Sequence, residues 1–182
     1  GELFGHKAGA YTGATRDKKG LIELAEEGTL FLDEIGELNI DLQAKMLRFL
    51  ENGQFIKLGD TKISKANVRI IAATNRDLHK MVEETHFRED LYYRLNVFTI
   101  ELPPLRVRKD DIPALADYFL AAFRTNNEKA TVFSDAAMQL MKQYSWKGNI
   151  RELKNVIERA LILVDGEQIL PEHLPYEIQQ QA

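Results

Sequence analysis

Two adjacent carboxylates close an apolar run, Gly28-Thr29-Leu30-Phe31-Leu32-Asp33-Glu34. The carboxyl end of a parallel strand is where α/β proteins place ligands. An acid there can hold Mg²⁺ through water, and its neighbour can orient an attacking water toward a phosphate. The same residues equally fit a strand running into a solvated, acidic helix start. Val68 to Ala73 forms a second apolar run, and it ends in Thr74-Asn75. The Asn75 amide could position water or sense a γ-phosphate beside the carboxylates, or it could cap the helix that begins near Leu78. Arg88 and Arg94 flank an aromatic segment six residues apart and do not share one helical face. Both could reach a phosphate across a subunit boundary, as arginine fingers do. The alternative is surface pairing with Glu89 and Asp90. Arg151 falls in the first turn of an expected helix, where a cation opposes the helix dipole. That position points to an anionic ligand or to a nearby acid.

Gly9-Ala10-Tyr11-Thr12-Gly13-Ala14 is a different kind of segment. Small residues and two glycines around an aromatic make a poor helix and a poor core. The composition suits a mobile loop, poorly ordered or projecting from its domain, that presents Tyr11 and Thr12 to a partner. A turn with Tyr11 folded back on the core is the other possibility.

The elements that must carry these residues are α/β up to Pro103-Pro104. Thr29–Leu32 and Val68–Ala73 read as buried strands of a parallel sheet, and Val97–Ile100 as a third strand. Phe55–Leu58, Gly59-Asp60 and Thr61–Ile63 suggest a hairpin. Leu42, Met46, Phe49 and Leu50 recur at helical spacing between them. After Pro104 no strand is expected. Ile112, Leu115, Ala116, Phe119, Leu120 and Phe123 form one helical stripe. Ser134 is the expected cap of a second helix and Asn149 of a third, with Glu152 reaching back as in a capping box. Asp165-Gly166 is expected to end that helix.

Composition sets the outer limits. The 182 residues are 45% hydrophobic and 29% charged, which fits a globular chain and excludes wholesale disorder. No apolar run is long enough to span a bilayer. With Cys 0, disulfides, thiolate metal sites and cysteine nucleophiles are excluded. A net charge of -4 argues against a broad nucleic-acid-binding surface.

Five stretches in order, GELFGHKAGAYTGA, GTLFLDEIGEL, VRIIAATNRDL, FREDLYYRLNVFTIELPPLRVRKDDI and WKGNIRELKNVIERALIL, resemble the central AAA+ ATPase domain of bacterial sigma-54-dependent transcription activators. The resemblance runs over nearly the whole chain. It implies a P-loop NTPase-like parallel sheet followed by a small all-helical lid. Residues 1–104 would be a partial α/β core, and residues 105–182 the lid and the start of a linker. Asp33 and Glu34 match the magnesium-associated and water-polarising acids of Walker B. Asn75, with Thr74 beside it, matches sensor I. Arg88 and Arg94 match the trans-acting arginine pair, and Arg151 matches the lid's sensor II arginine. Gly9, Tyr11, Thr12 and Gly13 match the loop that grips sigma factor, with Tyr11 where the family more often has Phe. Lys147 stands where the family usually has Pro. ATP and Mg²⁺ are the implied cofactors. Sigma-54 and RNA polymerase, engaged through Gly9–Ala14, are the implied partners, along with further copies of the chain in a hexameric ring. The implied setting is the cytoplasm.

One part of the family pattern is not found. The phosphate-cradling G-x-x-x-x-G-K-[ST] does not occur, and no Gly-Lys dipeptide is present. The strand that carries it and the DNA-binding helix-turn-helix domain are not expected here either. The chain is therefore expected to be a piece of a larger regulator and to hydrolyse no ATP alone. Two alternatives stand beside this: a non-catalytic sigma-binding and oligomerisation module, and another AAA+ machine of chelatase or helicase type. The loop at Gly9–Ala14 speaks against the latter.

Overall fold

A computed structural model of the chain describes residues 2–123 and 131–180. The chain divides into two compact units, Gly1–Ile100 and Glu101–Ala182.

In the first unit a short helix α1 (Leu21–Leu24) leads into strand β1 (Thr29–Leu32). Helix α2 (Ile40–Asn52) follows, capped by Asn39, whose Oδ1 accepts from the Leu42 amide at 2.9 Å. Strands β2 (Gln54–Ile56) and β3 (Ile63–Lys65) form a hairpin as expected, antiparallel with Phe55 opposite Ser64, but residues 57–62 lie outside the ladder where a two-residue turn at Gly59-Asp60 was expected. Strand β4 (Arg69–Ala72) pairs with β1 in parallel, Thr29 opposite Arg69 and Leu32 opposite Ala72. Helices α3 (Leu78–Glu83) and α4 (Glu89–Leu95) complete the unit. Its core gathers Phe4, Ile22, Met46, Phe49, Phe55 and Leu91. Leu30, Leu32 and Ile70 of the parallel pair pack on that core. The opposite face does not match the expectation of strands buried on both sides. Phe31 and Ile71, partners in register, are 59% and 45% exposed.

Val97–Ile100 forms no strand. A strand needs a neighbour for its backbone groups. None of the described residues pairs with this segment, and Val97, Phe98 and Ile100 are exposed. Its β-branched and aromatic composition was the signal, but composition alone does not supply the ladder.

The second unit packs α5 (Ile112–Phe123), α6 (Asp135–Gln143) and α7 (Asn149–Leu163) around Trp146 and Met141, followed by α8 (Tyr176–Gln179). Ser134 caps α6 as expected, its Oγ accepting from the Ala137 amide at 3.2 Å. The expectation of no strand after Pro104 is corrected by a two-residue parallel pair, β5 (Val132–Phe133) with β6 (Gln168–Ile169). The cap of α7 is corrected too. Gly148 occupies the cap position, and Glu152 Oε2 accepts from its amide at 2.7 Å. Asn149 sits at φ +53 and turns its Oδ1 to the Leu105 amide at 2.9 Å. The back-reaching acid was read correctly, one residue away from its true partner. Helix α7 ends at Leu163 with Val164 in extended backbone, ahead of Asp165-Gly166. Among the described residues, no helix is long and apolar enough to cross a membrane.

Candidate functional site

The parallel pairing of β1 and β4 fixes where the acids lie. With Leu32 opposite Ala72, Asp33-Glu34 and Thr74-Asn75 leave adjacent strands at the same, carboxyl end. Strand spacing makes them neighbours about 5 Å apart along the hydrogen-bonding direction. The ladder runs past the strands: the Ala73 amide donates to Leu32 O at 2.8 Å, and the Ile35 amide to Ala73 O at 2.9 Å. Between those bonds the chain turns sharply. Glu34 takes left-handed backbone, φ 53 and ψ 45, and its amide donates to Asp33 Oδ1 at 2.9 Å. Left-handed backbone is unfavourable for a side-chain-bearing residue, and such outliers cluster at functional sites. Gly36 follows, and a Cβ there would meet Thr74 Oγ1 at 3.2 Å, so its bare backbone lets the turn close on Thr74.

Asp33 and Glu34 are both exposed. Asp33 Oδ1 is taken by the Glu34 amide, which leaves Oδ2 for a cation. Among the described residues, no group of three His, Cys, Asp or Glu side chains could hold a metal by itself. The donor set fits Mg²⁺, which takes one or two carboxylates and draws its other ligands from phosphates and water. Thr74 Oγ1 accepts from the Arg76 amide at 3.0 Å. Asn75 does not cap α3: that role belongs to Asp77, which accepts from the Lys80 amide at 3.1 Å. Among the described residues, the Asn75 side chain has no hydrogen-bond partner.

Arg88 and Arg94 bracket α4. Arg88 grips Asp90 with two donors, Nε at 3.0 Å and Nη2 at 2.8 Å. That hydrogen-bonded pair raises the Arg88 pKa and holds the Asp90 carboxyl below its ordinary range. Arg94 instead reaches α2, donating from Nε at 3.2 Å and Nη2 at 2.9 Å to the carbonyl of Leu50. That carbonyl lies in the last turn of α2, where acceptors lack helical partners. Pairing with Asp90 is thus realised for Arg88, while Arg94 takes a backbone acceptor. Both guanidinium groups are partly solvent-exposed and held by acceptors that a phosphate could replace.

The Gly9–Ala14 segment is a compact hydrogen-bonded turn, exposed at Tyr11, Thr12 and Gly13 and buried at Ala14. The Gly9 amide donates to Ala14 O at 2.7 Å and the Ala14 amide to Tyr11 O at 3.0 Å. Gly9 and Gly13 adopt φ +81 and +100, a region open to glycine. Tyr11 is 50% exposed, with one ring edge on buried His6 at 5.0 Å between centroids. Thr12 and Gly13 are exposed. Asp17 fastens the base of the turn, accepting from Lys7 Nζ at 2.6 Å and from the Ala8 amide at 2.9 Å. Tyr11, Thr12 and Gly13 are thus exposed on a turn whose Ala14 is buried and whose Ala10 lies against Gly59, with Tyr11 leaning on His6.

In the second unit, Arg151 lines an open groove of about 410 Å³ on α7, together with Glu152, Asn155 and Arg159. Glu152 is not its partner. Its two oxygens accept from Gly148 and from the Tyr144 hydroxyl, the latter at 3.1 Å. Burial and the hydrogen bond to Glu152 raise the Tyr144 pKa. Among the described residues, Arg151 has no ion pair.

Sequence reasoning missed Gln43. This fully buried amide on α2 bonds the backbone on either side of the Arg88 entry. The signal was available: Gln43 falls in line with Met46 and Leu50, a polar residue on an apolar stripe.

Comparison with known proteins places these features in a family. Residues 1–101 match the model of the Sigma-54 interaction domain, and residues 106–182 that of an AAA+ ATPase lid domain. Regulatory protein AtoC of Escherichia coli is 53% identical over 180 residues, which is 98% of this chain and 39% of AtoC. The alginate biosynthesis transcriptional regulatory protein AlgB of Pseudomonas aeruginosa is 51% identical over 182 residues, 100% of this chain and 40% of AlgB. Among solved structures, NtrX from Brucella abortus in complex with ATP superposes with a TM-score of 0.87 at 36% identity, covering 97% of this chain and 39% of NtrX. The chain thus spans about two fifths of the length of these relatives. With an incomplete α/β sheet ending in paired acids, a helical lid and both family models matched in order, the chain belongs to the sigma-54 interaction domain family of AAA+ transcriptional regulators.

Proposed function

We propose that this chain is part of a cytoplasmic sigma-54-dependent regulator. The whole protein hydrolyses ATP as a ring and remodels the closed complex of sigma-54 RNA polymerase into an open one. DNA contact belongs to parts of that protein outside these residues. The observation that carries the proposal is the junction of β1 and β4, which delivers Asp33, Glu34, Thr74 and Asn75 to one strand end. Glu34 orients the attacking water there, and the unpartnered Asn75 amide is available to hold it. Asp33 would hold Mg²⁺, which supplies charge neutralisation at the phosphates when bound. Arg88 and Arg94 leave Asp90 and Leu50 O to meet the phosphate of a neighbouring subunit. Arg151 contacts nucleotide from the lid of its own subunit. Tyr11 and Thr12 contact sigma-54. For the chain taken alone, a second reading is favoured by the lack of a G-x-x-x-x-G-K-[ST] cradle: a sigma-binding module that turns over no ATP.

The test uses the full-length protein with Glu34→Gln and Arg94→Ala. Glu34→Gln should bind ATP and fail to hydrolyse it. Mixing the two inactive variants should restore part of the activity, at interfaces that join an intact acid to an intact arginine. Normal hydrolysis by Glu34→Gln, or no recovery at any ratio in assembled rings, would refute the assignment.

A further inference from the structure

Gln43 has 0% exposure and is bonded at every strong position. Nε2 donates to the carbonyl of Leu38 at 2.8 Å and to that of His86 at 3.1 Å. Oε1 accepts from the Arg88 amide at 2.9 Å. These backbone groups come from two separate segments. Leu38 ends the Ile35–Glu37 turn that follows Glu34, and its own amide bonds back to Ile35 O. His86 and Arg88 form the entry to α4.

That entry is also held from the preceding residues: Phe87 is 2% exposed, and the His86 and Phe87 amides donate to Met81 O at 2.8 and 3.1 Å. Arg88 is the cap residue of α4, and no side chain caps the helix from that position. The Arg88 amide stands outside the helical bonding pattern, and Gln43 is its acceptor. What Gln43 adds is a bond at the cap residue itself, the start point of α4. A start displaced by one residue would rotate every side chain of the helix by about 100°. Arg88 and Arg94 would then aim elsewhere. The same amide also ties this start to the segment that leaves the acids.

We propose that Gln43 is a positioning residue for trans catalysis: it sets the start of α4, and so the direction of Arg88 and Arg94, against the segment that leaves Asp33-Glu34. This rests on reading the two arginines as acting on a neighbouring subunit.

Gln43→Met in the full-length protein keeps the volume and removes all three bonds. Affinity for a fluorescent ATP analogue should stay within about twofold of wild type, while hydrolysis falls at least tenfold. In mixed rings this variant should behave as an arginine-defective subunit: activity returns with Glu34→Gln and does not return with Arg88→Ala. Wild-type hydrolysis, recovery with Arg88→Ala, or recovery with neither partner would overturn the proposal, the last by showing a general loss of structure. Amide exchange gives an independent readout that needs no variant and no nucleotide. The Arg88 amide should be protected at least a hundredfold in the wild-type protein, and a freely exchanging amide would overturn the clamp. If Arg88→Ala fails to complement Glu34→Gln while Arg88 is protected, the trans reading fails and the clamp on α4 stands.

Discussion

Glu34 is the residue at which stability and catalysis should trade openly. Its backbone is left-handed, φ 53 and ψ 45, and its exposed side chain has no hydrogen-bond partner among the described residues. Left-handed backbone costs an L-residue roughly 1–2 kcal/mol. Glycine escapes that cost and loses roughly 0.5–1 kcal/mol in chain entropy on folding. Glu34→Gly should therefore stabilise the fold by about 0.5–1 kcal/mol. Glu34→Ala and Glu34→Gln keep the strained backbone and should be neutral within about 0.5 kcal/mol. All three variants should lose hydrolysis in the full-length protein. Urea unfolding measures the first quantity, with an unchanged m-value showing that the unfolded state is the same. The difference between Gly and Ala isolates the backbone term. A Glu34→Gly variant no more stable than Glu34→Ala would show that no strain is stored at this acid.

The remaining perturbations address the loop and the lid. Tyr11→Ala should cost about 1.5 kcal/mol, half the lower bound for a fully buried aromatic, because the residue is already 50% exposed. Leu91→Ala, at a fully buried position, should cost about 2–5 kcal/mol in the same urea titration, and equal losses would make Tyr11 a core residue. Trp146→Phe removes the Nε1 donor to Met141 O, a 2.7 Å bond at a fully buried site. The orphaned carbonyl should cost about 1–3 kcal/mol, and a neutral result would mean that water or another donor replaces the indole. The hydrogen bond from Lys7 holds the Asp17 carboxyl below its ordinary pKa. Its contribution is therefore complete at neutral pH and is lost as the pH falls through that lowered value. Amide exchange at Ala8 should accelerate only below the ordinary carboxylate range, and Asp17→Asn should show the fast rate at every pH.

Periodicity and end signals carried much of the fold. Thr29–Leu32 and Arg69–Ala72 were legible as short apolar runs between polar residues, and their pairing brought the acids and the amide together. The α5 stripe and the Ser134 cap were legible for the same local reason. The readings that failed each depend on a distant partner. Val97–Ile100 has strand composition and nothing to pair with among the described residues. The β5–β6 pair joins two residues to two across more than thirty positions, too short a signal for any window. Asn149 has the chemistry of a cap, yet its left-handed backbone sends the side chain to Leu105. The acceptors of Arg88 and Arg94 split the same way: Asp90 is two residues off and was foreseen, whereas Leu50 O is 44 residues off and was not. Gln43 is visible only as a break in the stripe of α2, and its three partners have no sequence signature at all.

The role proposed for Gly9–Ala14 in the full-length protein is contact with sigma-54, with no part in the chemistry of ATP hydrolysis. Thr12→Ala in the full-length protein tests it most directly, because Thr12 is exposed and its side chain has no bond within the described residues. ATP hydrolysis and open-complex formation at a sigma-54 promoter are measured on the same preparation. Hydrolysis should stay within about twofold of wild type, and no open complex should form. Open complexes formed at the wild-type rate, or a parallel loss of hydrolysis, would contradict it.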